Sequence, residues 1–224
     1  NIDAIKRLTG RVSLVKEDDY PRSSIQLSIR GQIKDKSEFT EKFMAISSEL
    51  NLDIAFQEDN IFRRNRRLVC FDMDSTLIQT EVIDELAELA GVGEQVRAIT
   101  ESAMQGEIDF QESFKQRMLL LKGLREEVLE EVAVNLPITK GARRLIDTLK
   151  SYGFKTAILS GGFTYFGKYL QKELGIDYVY ANELEIKDGV LTGGYLGEIV
   201  DGNKKAEYLK EIALREGIDI NQTI

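Results

Sequence analysis

The sequence predicts an α/β protein: a parallel-sheet core, a helical cap inserted after its first strand, and a small α/β unit at the N-terminus. Three observations predict it. Apolar strand-like segments alternate with amphipathic helical segments on both sides of the chain's centre. Between them, residues 80–136 contain no strand pattern. Before them, an alternating segment is followed by one amphipathic helix and a short second strand-like segment.

The N-terminal unit is read over residues 1–62. Ser24 to Ile33 alternates, with Ile25, Leu27, Ile29 and Ile33 apolar, as a half-buried strand does. Asp35 or Ser37 can cap a helix running to about Leu50, with Phe39, Phe43, Ile46 and Leu50 along one face. Asp53 to Gln57 reads as a short strand. The basic run Arg63-Arg64-Asn65-Arg66-Arg67 reads as a solvated linker.

The second domain is read over 63–224, with its core at 63–76 and 139–224 and its cap at 77–138. Arg67 to Phe71 is a short apolar strand. Helical periodicity then predicts helices over Val82–Ala90, Glu94–Met104, Phe110–Leu121 and Leu124–Leu136, the last with Leu124, Val128, Leu129, Val132, Ala133 and Leu136 on one face. Thr139 to Tyr152 is a further helix and Phe154 to Leu159 a buried-type strand. Gly161 and Gly162 are expected to open a helix carrying Phe166, Tyr169, Leu170 and Leu174. Leu184–Ile186 and Val190–Tyr195 flank Asp188-Gly189, a hairpin signal. Lys204 to Glu216 is helical again.

Composition limits the chemistry. The 224 residues include no histidine, which removes Ser-His-Asp triads, Cys-His dyads and His-ligated zinc together. Catalysis must then use carboxylates, lysine, hydroxyls and a hard metal ion held by oxygen. A formal net charge of −8 disfavours nucleic acid and anionic membranes as partners. No apolar run approaches the roughly 18 residues needed to span a bilayer, and no signal-peptide pattern is present. Cys70 is the only cysteine, so a reducing cytoplasm is the expected setting.

Two segments carry the strongest chemical signal. Asp72-Met73-Asp74-Ser75-Thr76 follows an apolar strand directly, and ligand sites in open α/β sheets lie at carboxyl ends of strands. Two carboxylates at this spacing can share one crevice, one to attack phosphorus and the other to protonate a leaving alkoxide and later activate water. Two aspartates in a loop are otherwise an Asx-rich turn; the strand ahead of them favours the chemical reading. Ser160-Gly161-Gly162 follows a second strand, where glycines let backbone approach an anion and Ser160 adds a hydroxyl. Lys204-Lys205 begins the last helix, a place where a cation is unfavourable unless an anion lies near. Phe110, Phe114, Arg117 and Leu121 recur at helical spacing, so Arg117 shares an apolar stripe and must find a partner or reach solvent.

These motifs resemble those of the haloacid dehalogenase-like phosphatases. Asp72-Met73-Asp74-Ser75-Thr76 is similar to their nucleophile motif, Ser160-Gly161-Gly162-Phe163 to their second motif, and Lys205 stands where their third-motif lysine would. Within that superfamily, Glu81-Val82-Ile83-Asp84-Glu85, Met104-Gln105-Gly106, Asp109-Phe110, Leu121-Lys122-Gly123 and Ala181-Asn182-Glu183-Leu184 resemble the phosphoserine phosphatases. The resemblance implies a Rossmann-like core with an inserted helical-bundle cap. It implies hydrolysis of the small molecule O-phosphoserine to serine and phosphate through an aspartyl-phosphate, with Mg2+ as cofactor, as the last step of serine biosynthesis.

Roles follow residue by residue from the resemblance. Asp72 is implied as nucleophile and metal ligand. Asp74 is implied as general acid and base, with its backbone carbonyl on the metal. Ser160, the Gly161 amide and Lys205 would hold the phosphate. Glu81 would take the substrate ammonium and Arg117 its carboxylate, while Met104 and Phe110 shield the site. A fourth acidic motif that completes the metal site is expected beyond Ile224, so that the C-terminal part of the core is missing from this stretch. Residues 1–62 resemble half of an ACT-like regulatory domain. A homodimer is left open. Two other functions compete: a phosphotransferase that passes the phosphoryl group to another alcohol, and a non-catalytic amino-acid-sensing module.

Overall fold

The computed structural model describes residues 36–55 and 60–224. The chain divides into two compact units, Asn1–Glu58 and Asp59–Ile224. In the first, helix α1 (Lys36–Leu50) presents Phe39, Phe43, Ile46 and Leu50 as its half-buried face, with the two phenylalanine rings 4.4 Å apart. The strand expected at 24–33 lies outside the described residues, as do Phe56 and Gln57 of the second; residues 53–55 form no strand.

In the second unit, a 3-10 turn (Ile61–Arg64) leads into β1 (Leu68–Phe71). Four helices of the inserted segment follow: α2 (Val82–Leu89), α3 (Gly93–Met104), α4 (Phe110–Leu120) and α5 (Glu127–Val134). Asp109 caps α4 by accepting from the Glu112 N–H at 2.8 Å. Helix α6 (Ala142–Ser151), β2 (Lys155–Phe163), α7 (Thr164–Leu174), β3 (Tyr178–Lys187), β4 (Val190–Leu196) and α8 (Gly202–Arg215) complete the order.

The sheet runs β1-β2-β3-β4, with β1, β2 and β3 parallel and β4 antiparallel to β3. On the free edge of β1, Thr223 pairs in parallel with Leu68, and Cys70 N–H donates to the Ile224 carbonyl at 2.8 Å. Strand β2 is buried on both faces, as parallel strands usually are. Ile158 joins the main core beneath the inserted helices. Ala157 and Leu159 point the other way, onto Ile212 and Ala213 of α8.

Several sequence expectations shift for physical reasons. The helix expected from Leu124 starts only at Glu127, because residues 123–126 lie along the hairpin: Gly123 N–H donates to Leu191 O, Leu191 N–H to Leu124 O, and Glu126 N–H to Gly189 O. Its apolar stripe still packs inward. The helix expected from Thr139 starts at Ala142, since Ile138 pairs with Ile78 and Thr139 N–H donates to Leu77 O. The hairpin partner expected at 184–186 is the distal half of a ten-residue strand whose first half pairs with β2. Arg66 is more than a solvated linker residue: its guanidinium donates to the carbonyl of Thr223 at 2.8 Å, holding that segment beside β1.

Candidate active site

The chain leaves β1 at Phe71 and turns at once. Asp72 caps this turn, its Oδ1 accepting from Met73 N–H at 2.8 Å. Asp74 is extended (φ −65°, ψ 139°) and Ser75 is left-handed (φ 53°), so the backbone doubles back within a few residues. Ser75 N–H then reaches Thr80 O at 3.2 Å, and its hydroxyl donates to Glu81 Oε1 at 2.7 Å. The tight reversal carries Asp72, Asp74 and Glu81 to one cavity of about 190 Å³.

Strand β2 supplies the opposite wall. Between Leu159 and Phe163 its register against β3 shifts, because four steps on β2 match two on β3. Ser160, Gly161 and Gly162 form this bulge. The sequence reading had these glycines open the following helix; instead they end the strand, and α7 starts at Thr164. Bulges re-aim backbone next to sites, and this one turns the Ser160 hydroxyl toward Asp74 Oδ2, at 3.4 Å, while Gly162 N–H donates to Ser160 Oγ at 2.9 Å. A side chain at Gly162 would overlap Asp74 Oδ2 and stand 2.7 Å from Met73 Cε, so both side-chain ends would have to move to admit it.

Lys205 comes from the first turn of α8. Asp201 caps that helix, accepting from Lys204 N–H at 3.0 Å, and this sets the direction in which Lys205 points. Its Nζ donates to Asp72 Oδ2 at 2.6 Å. A cation in the first turn, against the helix dipole, is thus matched by a carboxylate.

The inserted helices close the cavity. Phe110, Phe114 and Arg117 of α4 line it together with Val82 and Ile83 of α2. Phe114 is fully buried and packs edge-on against Tyr195 of β4 at 5.5 Å, which anchors α4 on the sheet. Phe110 is about half exposed. Burial lowers the Arg117 pKa from its usual value, an effect opposed by the charges of Asp84, Glu81 and Asp74. Burial raises the Asp74 carboxyl to about 6; the charges of Glu81 and Asp72 push the same way, against hydrogen bonds from Val82 N–H and Ser160. A carboxyl near 6 can both give and take a proton around neutrality.

Of the site residues expected from sequence, Asp72, Asp74, Glu81, Phe110, Arg117, Ser160, Gly161 and Lys205 line this one cavity. Met104 does not. It ends α3 with 84% of its surface exposed, since the buried side of that helix is formed by Gly93 and Val96. Sequence reasoning gave Asn182 no role, yet it is 2% exposed and uses both ends of its amide. Its Nδ2 donates to Gly161 O at 2.7 Å and its Oδ1 accepts from Val200 N–H at 2.8 Å. The Ala181-Asn182-Glu183-Leu184 motif was the available signal.

The donor set suits a hard cation in kind but not in number. Among the described residues no group of three or more Asp, Glu, Cys or His is disposed to hold a metal. Asp72 lines the cavity with its carboxylate half exposed, and one carboxylate holds magnesium weakly. The described residues therefore do not by themselves make a complete magnesium site.

Comparison with known proteins agrees with this geometry. Residues 69–224 match the haloacid dehalogenase-like hydrolase family. The chain is 48% identical to a phosphoserine phosphatase of Archaeoglobus fulgidus over 83% of its own length and 54% of that protein. It is 49% identical to a phosphoserine phosphatase of Idiomarina loihiensis over 70% of its length and 71% of that protein. A solved structure of a phospho-aspartyl intermediate analogue of phosphoserine phosphatase superposes with a TM-score of 0.66 at 43% identity, covering 71% of this chain and 76% of that one. The chain thus spans about half the length of the Archaeoglobus relative. With a parallel-dominated α/β sheet, the paired aspartates at the end of its first strand and a family match over most of its length, the chain belongs to the haloacid dehalogenase-like hydrolases.

Proposed function

We propose that the chain carries the catalytic part of a phosphoserine phosphatase, hydrolysing O-phosphoserine to serine and phosphate. The observation that carries this reading is one cavity lined by two kinds of group. Asp72, Asp74, the Ser160–Gly162 bulge and Lys205 are brought by β1, β2 and α8, and Glu81 and Arg117 by the inserted segment. The first set suits a phosphoryl group and the second an ammonium and a carboxylate. Likeness to phosphoserine phosphatases over most of the chain supports the same substrate.

In this reading the Asp72 carboxylate attacks phosphorus and becomes an acyl-phosphate. Lys205 and backbone N–H groups at the bulge offset charge on the phosphoryl oxygens. Asp74 gives its proton to the leaving serine oxygen and then takes one from the water that cleaves the acyl-phosphate. Haloacid dehalogenase-like phosphatases generally use Mg2+. Magnesium is proposed here too, with Asp72 and the Asp74 backbone carbonyl as the ligands within this stretch.

The core is proposed at 63–76 and 139–224 and the cap at 77–138; the cytoplasm is the proposed setting. No helix among the described residues is long and apolar enough to cross a membrane. An ACT-like unit over residues 1–62 is a proposal from the sequence pattern alone. The test is phosphate release from a panel of phosphomonoesters by the full-length protein, with and without an added alcohol acceptor. Phosphoserine should be preferred and free phosphate should account for all of it. Transfer to the acceptor, or no preference for phosphoserine, overturns the reading.

A further inference from the structure

Helix α4 and helix α8 come from opposite sides of the cavity, and one carboxylate joins them. Asp201 has both oxygens engaged. Oδ1 caps α8 by accepting from Lys204 N–H at 3.0 Å, and Oδ2 accepts from Gln111 Nε2, also at 3.0 Å. Gln111 follows Phe110 in the first turn of α4. Lys205 N–H donates to the Asp201 carbonyl at 2.9 Å, one turn ahead of the Nζ contact with Asp72.

The contact has two consequences for what lies between the helices. Phe110 stands over Gly161, its Cζ 3.0 Å from where a Cβ on that glycine would be. A shift of α4 away from α8 lifts this ring off the bulge and opens the mouth. A shift of the first turn of α8 moves Lys205 relative to Asp72. Both hydrogen bonds also hold the Asp201 carboxyl below its ordinary pKa, consistent with a carboxylate that serves two donors at once.

We propose that Gln111 and Asp201 are positioning residues, a hydrogen-bonded strut across the cavity mouth that sets Phe110 and Lys205 on either side of the bound phosphoryl group. Neither touches the cavity itself. The strut matches a donor on the inserted helix to an acceptor on the core, and this polarity makes the inference testable without disturbing either helix. It rests on the phosphatase reading of the cavity.

The variant Q111E replaces the amide donor by a second carboxylate and sets it against Asp201. The double variant Q111E/D201N restores a donor facing an acceptor with the direction reversed, and an asparagine still caps α8. Steady-state hydrolysis of O-phosphoserine is measured in the full-length protein, with thermal unfolding alongside. An exposed charge-assisted hydrogen bond changed to a repulsion is expected to raise KM about threefold to tenfold with a smaller change in kcat. The double variant should return KM to within about twofold of the wild type, as a restored hydrogen bond does. Wild-type KM in Q111E, or an unrescued double variant, overturns the strut while leaving the phosphatase reading in place. A wild type that releases no phosphate from any phosphomonoester overturns both.

Discussion

Lys205 Nζ lies 2.6 Å from Asp72 Oδ2, although 133 residues separate them in the chain. The pairing sets a cation beside the carboxylate that is proposed to attack a phosphate dianion. It should matter more to catalysis than to folding, because the two side chains remain 28% and 45% exposed and exposed ion pairs contribute little stability. Lys205→Ala is expected to lower kcat about 100-fold to 1,000-fold, the usual effect of removing one donor from a charged transition state. The melting temperature should move by only a few degrees. Kinetics and thermal unfolding measured on one preparation check both parts; a loss of fold without a specific loss of kcat would make Lys205 structural.

Asp74 gives a prediction about pH. Its folded-state pKa is raised to about 6 from 3.8, chiefly by burial. The sign follows from linkage: the unfolded state loses this proton more readily, so the relative stability is full below about 3.8 and is lost as pH rises through about 6. At neutral pH the ionised carboxylate therefore costs up to about 3 kcal/mol, the order of magnitude for a difference of this size. Asp74→Asn should be more stable than wild type at pH 7 and about equal at pH 4. Urea titrations of both proteins with chelator present measure this. Activity should fall at least 1,000-fold in the same variant, as expected when an acid-base group is removed. A stability difference that does not change with pH would place the origin elsewhere.

Much of this site could be read in the sequence, for identifiable reasons. Asp72 and Asp74 follow an apolar strand, and strand ends are where such sheets keep their reactive groups. Arg117 stood out because a charge in an apolar stripe needs an explanation. What escaped depended on pairing between distant segments. Ser160–Gly162 looked like a helix start, since a glycine pair signals a turn; only the two-residue register difference against β3 makes it a bulge. Leu124 belongs to a helical stripe, yet hydrogen bonds from residues 123–126 to the β4 hairpin delay the helix to Glu127. Tyr178–Asn182 lacks the strict alternation of a surface strand, being paired with β2 and packed between α7 and α8. Met104 shares its helix with core residues but projects into solvent at the helix end.

Gly162 should accept no side chain. The position does not demand glycine through its dihedral angles, because φ is not positive there. The demand is steric: a Cβ would overlap Asp74 Oδ2 and crowd Met73 Cε. Gly162→Ala must displace the Asp74 carboxylate or the β2 bulge. We expect a loss of about 1–3 kcal/mol, typical of overpacking, and a fall in kcat of about 100-fold or more, since small misplacements of reacting groups cost that much. Gly91, with φ +72° and nothing within 4 Å, is a useful contrast. Gly91→Ala should be destabilised by backbone strain, about 1 kcal/mol, and keep its kcat. Equal activity losses in the two would remove the steric argument.

Arg117 should determine which phosphomonoester is preferred. It lines the cavity from α4, close enough to Glu81 and Asp74 for their charges to act on it. Arg117→Ala is expected to raise KM for phosphoserine about tenfold or more, from the loss of a charge-assisted bond of about 1.5–3 kcal/mol. Phosphoethanolamine, which lacks the carboxylate, should be affected much less. Michaelis constants for both substrates in both proteins are the measurement. Matching losses would assign Arg117 to packing of the inserted helices.

Asn182 offers the sharpest separation of donor from acceptor. Its amide bridges Gly161 O, in the bulge, and Val200 N–H, on the segment that leads to the cap of α8. One buried side chain therefore fixes the backbone on both sides of the phosphate end. In Asn182→Asp one oxygen can still accept from Val200 N–H. The other faces the Gly161 carbonyl, and an ionised carboxylate there is repelled. Burial favours the neutral acid, whose O–H can donate to Gly161 O as the amide did. The folded-state pKa is thus raised, so the stability of this variant is retained at low pH and lost as pH rises through that value. Relative to wild type, Asn182→Asp should be close to normal near pH 5. By pH 8 it should have lost about 3–5 kcal/mol, the size of an uncompensated buried charge. Its kcat/KM ratio to wild type should fall over the same interval. Asn182→Ala, which loses both bonds, should be defective at every pH. Unfolding midpoints and initial rates for the three proteins between pH 5 and 8 provide the comparison. A constant ratio for Asn182→Asp would mean that the bridge to Gly161 does not hold the bulge in place.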